Sequence, residues 1–176
     1  MTECMSGNSL PEHSNFNIEE FIVSLFLVAL IIGCVAGLRV FVAPAAIAWL
    51  AYKSGLDVSG TWASFMSSPF AAGIFTILLL VELVTDQLPS TPSRKVPNQF
   101  IPRIVSGAFC AAVLGTYHDA IVASVVLGLI GVAVGTFGGY EFRARIAKAF
   151  NGDDHPAAFV EDGLALGLAV IVAMIV

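Results

Sequence analysis

Six stretches of this chain carry no charged side chain at all: residues 21–38, 40–52, 58–81, 104–117, 120–140 and 163–176. A helix rising 1.5 Å per residue needs about 20 residues to cross a hydrocarbon core of about 30 Å. The first, third and fifth stretches reach or approach that length. The second, fourth and sixth hold 13 or 14 residues, about 20 Å as helices unless flanking residues are drawn in. The expected fold is therefore all-α: a polytopic transmembrane bundle of five or six apolar segments, some of them short or broken.

Composition supports this, since 57% of the 176 residues are hydrophobic, 12% are charged and mean hydropathy is +0.89. Soluble domains carry about 25% charged residues. Residues 1–18, with Glu3 and Glu12 among polar and small residues, read as a disordered acidic tail, leaving 19–176 as one transmembrane domain. The tail lacks the basic start of a cleaved signal peptide, so the first apolar segment is expected to be retained. A net charge of -5 argues against nucleic acid as a partner. Cys4, Cys34 and Cys110 share no metal spacing and read as small core residues.

Breakers place the ends of segments. Pro69, Pro102 and Pro156 each stand just before an apolar run, as in a first helical turn. Pro44 fits either one kinked helix over 20–53 or a tight hairpin of two helices. Four prolines between residues 89 and 102 predict an extended connection. Arg94 and Lys95 in that connection, and Arg143, Arg145 and Lys148 after Tyr140, are the main basic groups. The positive-inside rule puts loops 86–103 and 142–156 in the cytoplasm and the C-terminus outside. Glu82 to Arg103 and Glu141 to Asp162 are each 21 residues apart, and Pro97 with Phe100 matches Pro156 with Phe159 at an offset of 59. Duplicated helix pairs and chance matches both remain open.

Small residues recur at helical spacing: Gly33 and Gly37, Gly107, then Gly131, Gly135 and Gly139, then Gly163 and Gly167. In lipid such stripes let backbones approach closely, within the bundle or between copies of a homo-oligomer. The informative charges are Arg39, Glu82, Asp86, Arg103, Glu141, Glu161 and Asp162, all at ends of apolar runs. Two readings compete: a polar cluster that binds a small polar or ionic solute, or interfacial ion pairs that mark the water boundary. Asp153, Asp154, His155, Glu161 and Asp162 match no metal-ligand spacing, and no nucleophile, phosphate-loop or cofactor motif occurs, so no metal, cofactor or catalytic residue is assigned.

The segments Ala-Gly-Leu-Arg-Val-Phe-Val-Ala-Pro (36–44), Val-Glu-Leu-Val-Thr-Asp-Gln-Leu-Pro (81–89), Phe-Ile-Pro-Arg (100–103) and His-Pro-Ala-Ala-Phe-Val-Glu-Asp-Gly-Leu-Ala-Leu (155–166) resemble the membrane proteins catalogued as domain of unknown function 4126. That resemblance implies a helical membrane fold and bacterial origin, and no particular activity. The leading expectation is a small permease or channel-like protein, in contact with the lipid bilayer. The alternatives are a scaffold that docks a cytoplasmic protein through its basic loops and, last, an intramembrane enzyme using paired carboxylates.

Overall fold

The structure is a computed structural model that describes residues 14–53, 55–86, 97–117, 120–149 and 155–176. Six α-helices follow in order: α1 Ser14–Leu38, α2 Val42–Tyr52, α3 Pro69–Thr85, α4 Pro97–Tyr117, α5 Ile121–Ala149 and α6 His155–Ile175. Of these, α4, α5 and α6 are long and apolar enough to cross a membrane, over Gln99–Thr116, Ile121–Ile146 and Ala158–Ile175. Large apolar side chains such as Phe70, Val122 and Met174 cover the outside. An apolar exterior on apolar helices points to a membrane protein.

Helix starts follow local chemistry. Ser68 caps α3, its Oγ accepting from the Ala71 N–H at 3.2 Å, with Pro69 in the first turn where a missing N–H costs nothing. Pro44 likewise falls in the first turn of α2. The region 20–53 is therefore two helices, separated by residues 39–41. Upstream, α1 begins at Ser14, inside the expected tail, because no Gly or Pro interrupts residues 14–32. The tail before Ser14 lies outside the described residues, as do Arg94, Lys95, Asp153 and Asp154.

Three other expectations need correction. Residues 58–68 do not extend α3: they form turns and a 3-10 helix, Ser64–Ser67, where serines and Gly60, at φ 76°, favour local turns. Pro97, not Pro102, occupies the first turn of α4, and Pro102 sits inside the helix, so 97–102 is helical rather than extended. Residues 142–149 continue α5 and are not a loop.

Two stripes of small residues pack on each other. A Cβ added at Gly33 would strike the Gly128 carbonyl oxygen, and one at Gly131 or Gly135 would strike the carbonyl of Leu30 or Cys34. Backbone thus meets backbone along parallel α1 and α5. Antiparallel α4 fits the same groove, with Gly107 against Val132 and Gly128 against Ala111. Gly37 joins this contact through Val132 and Thr136, and Gly139 is buried. Packing within the bundle fails for Gly163 and Gly167, where an added Cβ would meet open space; they lie on the outer face of α6.

From the break at 39–41, α2 turns back antiparallel to α1. Val40 lies beside Ser106 of α4, whereas the segment after α2 reaches the far end of that helix, where Trp62 Nε1 donates to Thr116 Oγ1 at 2.8 Å. With 11 residues, α2 extends only about 16 Å. Leu56, Val58, Ala63 and Met66, all buried, plug the end that α2 is too short to fill. At the exposed rim of this plug the Ser59 hydroxyl and backbone N–H both donate to the Asp57 carboxylate and hold its pKa below the ordinary value. Stabilisation from that contact is present above the unfolded Asp pKa and is lost as pH falls through the lower folded one.

Two measurements check this packing. Gly33→Ala must push α1 from α5 and is expected to cost about 1–3 kcal/mol in unfolding from mixed micelles, while Gly163→Ala stays within about 0.5 kcal/mol. Ser59→Ala is expected to raise the Asp57 titration midpoint, followed by its carboxyl 13C shift.

Candidate functional site: a charged helix break

Breaking a helix inside an apolar bundle strands carbonyls at the end of one piece and amides at the start of the next. Here α1 stops at Leu38 and α2 starts at Val42. Arg103, buried on α4, donates from Nη1 to the carbonyl of Leu38 at 2.7 Å and also to that of Gly37. The Gly37 carbonyl also accepts from Thr136 Oγ1 of α5 at 3.2 Å, and Val40 O accepts from Ser106 Oγ at 2.5 Å. On the other side, the two carboxylate oxygens of Glu82 accept from the Val40 N–H at 2.6 Å and the Phe41 N–H at 2.8 Å. A cation thus sits at a helix C-terminus and an anion at a helix N-terminus, the favourable sense for both dipoles.

Arg39, the first residue of the break, is fully buried. Its guanidinium lies between two carboxylates, Nη1 donating to Asp86 just past α3 and Nη2 paired with Asp162 on α6. Next to Asp162, Glu161 is also fully buried, 3.7 Å from Arg143 Nη1 on α5. The cluster therefore draws on α1, α3, α4, α5 and α6, and on Phe41, the residue that precedes α2. Among the described residues, no three His, Cys, Asp or Glu side chains are placed to hold one metal ion.

Six of the seven residues singled out from the sequence converge: Arg39, Glu82, Asp86, Arg103, Glu161 and Asp162. Glu141 does not. It is exposed on α5 and pairs with Arg145 one turn along at 3.2 Å. Sequence reasoning missed Ser106, Thr136 and Arg143. Ser106 carried a signal, because it lies three residues after Arg103 on the same helix face.

A family model described as Domain of unknown function (DUF4126) matches residues 26–175. The chain belongs to that family. The matched region contains the break and every charged group gathered around it. No curated protein and no solved structure matches the chain.

The geometry sets the energetics. Removing one member of a buried ion pair leaves the other charge uncompensated, at about 3–5 kcal/mol. Arg39→Met is therefore expected to lower unfolding stability by about 3–5 kcal/mol. Arg145→Ala, which removes only an exposed pair within one helix, should change it by less than about 0.5 kcal/mol.

Proposed function

We propose that the protein is a small membrane permease or channel-like protein that takes a small polar or ionic solute at the charged break between α1 and α2. The observation that carries this reading is the clamp on Val40 and Phe41 by Glu82, opposite Arg103 on the Gly37 and Leu38 carbonyls. Discontinuous membrane helices expose such backbone groups where transporters bind ions and polar substrates. A solute with donors or acceptors of its own can replace Glu82, Arg103 or Arg39 at the break, and the side chains it displaces become its ligands.

Six crossings are part of the proposal: α2 with its plug makes the second, and the chain ends share a side. The basic residues Arg143, Arg145 and Lys148 put the charged end in the cytoplasm of a bacterial inner membrane. At the offset of 59, duplicated helix pairs would match Arg103 with Asp162 and Glu82 with Glu141; Arg103 and Asp162 both reach the break, although Glu141 is exposed where Glu82 is buried. The outward Gly163 and Gly167 offer a second copy a close approach.

A scaffold role has one observation in its favour. At 29 residues, α5 extends about 43 Å, beyond the hydrocarbon thickness, and presents Arg145 and Lys148 in its last turns. Loss of a stoichiometric soluble partner on mutating these two bases would support that reading over transport.

Transport is tested in liposomes holding the wild type, Glu82→Gln or Asp162→Asn, each shown by circular dichroism to be folded. Flux of protons, K+ and a panel of small organic anions and cations is followed. At least one species should move with the wild type and fall about tenfold or more in both variants. Equal flux in folded variants rules out transport through this cluster.

A further inference from the structure

Away from the charged break, a groove of about 470 Å³ runs along α2 between α3 and α6, from Val42 to Lys53. Its origin is the small side chains that α2 and α6 turn toward each other, such as Ala45, Ala46, Ala169 and Ala173. The volume is that of a small-ligand site, and the shape is long: Val42 to Lys53 spans about 16 Å along a helix.

Carbon lines nearly all of it, and its internal polar groups are already used. Thr76 Oγ1 donates to the Ala72 carbonyl at 2.7 Å and accepts from Trp49 Nε1 at 2.9 Å. A polar solute would find nothing to bind there. A hydrocarbon chain would lose nothing. Charge appears only at the end, where Lys53 stands exposed with its Nζ 6.0 Å from the centre of the Trp49 ring. Among the described residues Lys53 makes no ion pair with a carboxylate. Trp49 and Tyr52, both more than 40% exposed, stand beside it, the aromatic setting of a membrane interface.

We infer that this groove holds an acyl chain of an anionic glycerophospholipid from the surrounding bilayer, with the lipid phosphate at Lys53. The inference rests on the membrane reading and is independent of transport. An occupant with one long apolar body and one anionic end matches both halves of the groove. Apolar length sets retention, and Lys53 selects the head group.

The test uses Trp49 as reporter. The protein has two tryptophans, so Trp62→Phe leaves Trp49 alone. Full-length protein is reconstituted in phosphatidylcholine vesicles containing, at equal mole fraction, either phosphatidylglycerol or phosphatidylcholine brominated on the acyl chains. Bromine quenching of Trp49 is expected to report about fivefold tighter association of phosphatidylglycerol, the effect of one lysine near an anionic head group. Lys53→Gln should bring that preference to unity, and Ala169→Phe, which fills the groove, should reduce quenching by both lipids. If Trp62→Phe does not fold, the difference in quenching between wild type and Trp49→Phe isolates the same signal. Equal quenching by the two lipids, or a preference that survives Lys53→Gln, overturns the assignment.

Discussion

Amides and carbonyls exposed by a helix break cannot be left unpaired among apolar side chains, and this requirement organises the whole bundle. Each such group left without a partner costs several kcal/mol where water is excluded. The three-residue break after Leu38 meets the requirement with Glu82 and Arg103, aided by Ser106 and Thr136. Those side chains come from α3, α4 and α5, so the break holds only when the helices around it are in place. Arg39 adds α6 through Asp162. The glycine contact of α1 with α5 serves the same end by bringing Thr136 within reach of Gly37.

Other features follow from the reversal at the break. A chain that turns back at residue 41 has only 11 helical residues before it turns again. The irregular segment after α2 must then fill the far end of the bundle with Leu56, Val58 and Met66, and the small face of α2 leaves a groove beside α6. The charged groups around the break are thus mostly buried, whereas the flank along α2 is apolar and open.

Much of this was legible in the sequence. Charges at the ends of apolar runs named six of the seven charged residues that meet at the break, because an ionised group in such a chain needs a partner or water. The hairpin was not legible: residues 39–41 contain neither Gly nor Pro, and Pro44 suits the first turn of a new helix as well as a kink. Nor does a run end say which face a charge is on. Glu141 lies five residues after Thr136, about 140° around the helix, while Arg143 lies seven after it, within about 20° of the same face. Only after Thr136 was seen to face the break could Arg143 be read as inward and Glu141 as outward. Gly33, Gly37, Gly107, Gly131 and Gly135 sit against neighbouring helices while Gly163 and Gly167 face outward, a distinction that spacing alone does not make.

The amides of Val40 and Phe41 report most directly on whether ions hold the break. Their hydrogen exchange, measured by mass spectrometry or NMR on protein in bilayers, should be slow in the wild type. Hydrogen bonds to a charged acceptor contribute about 1.5–3 kcal/mol, so Glu82→Ala should accelerate exchange at both amides about 10- to 100-fold while amides in the middle of α3 stay protected. Unchanged slow exchange at Val40 and Phe41 in that variant would contradict the account.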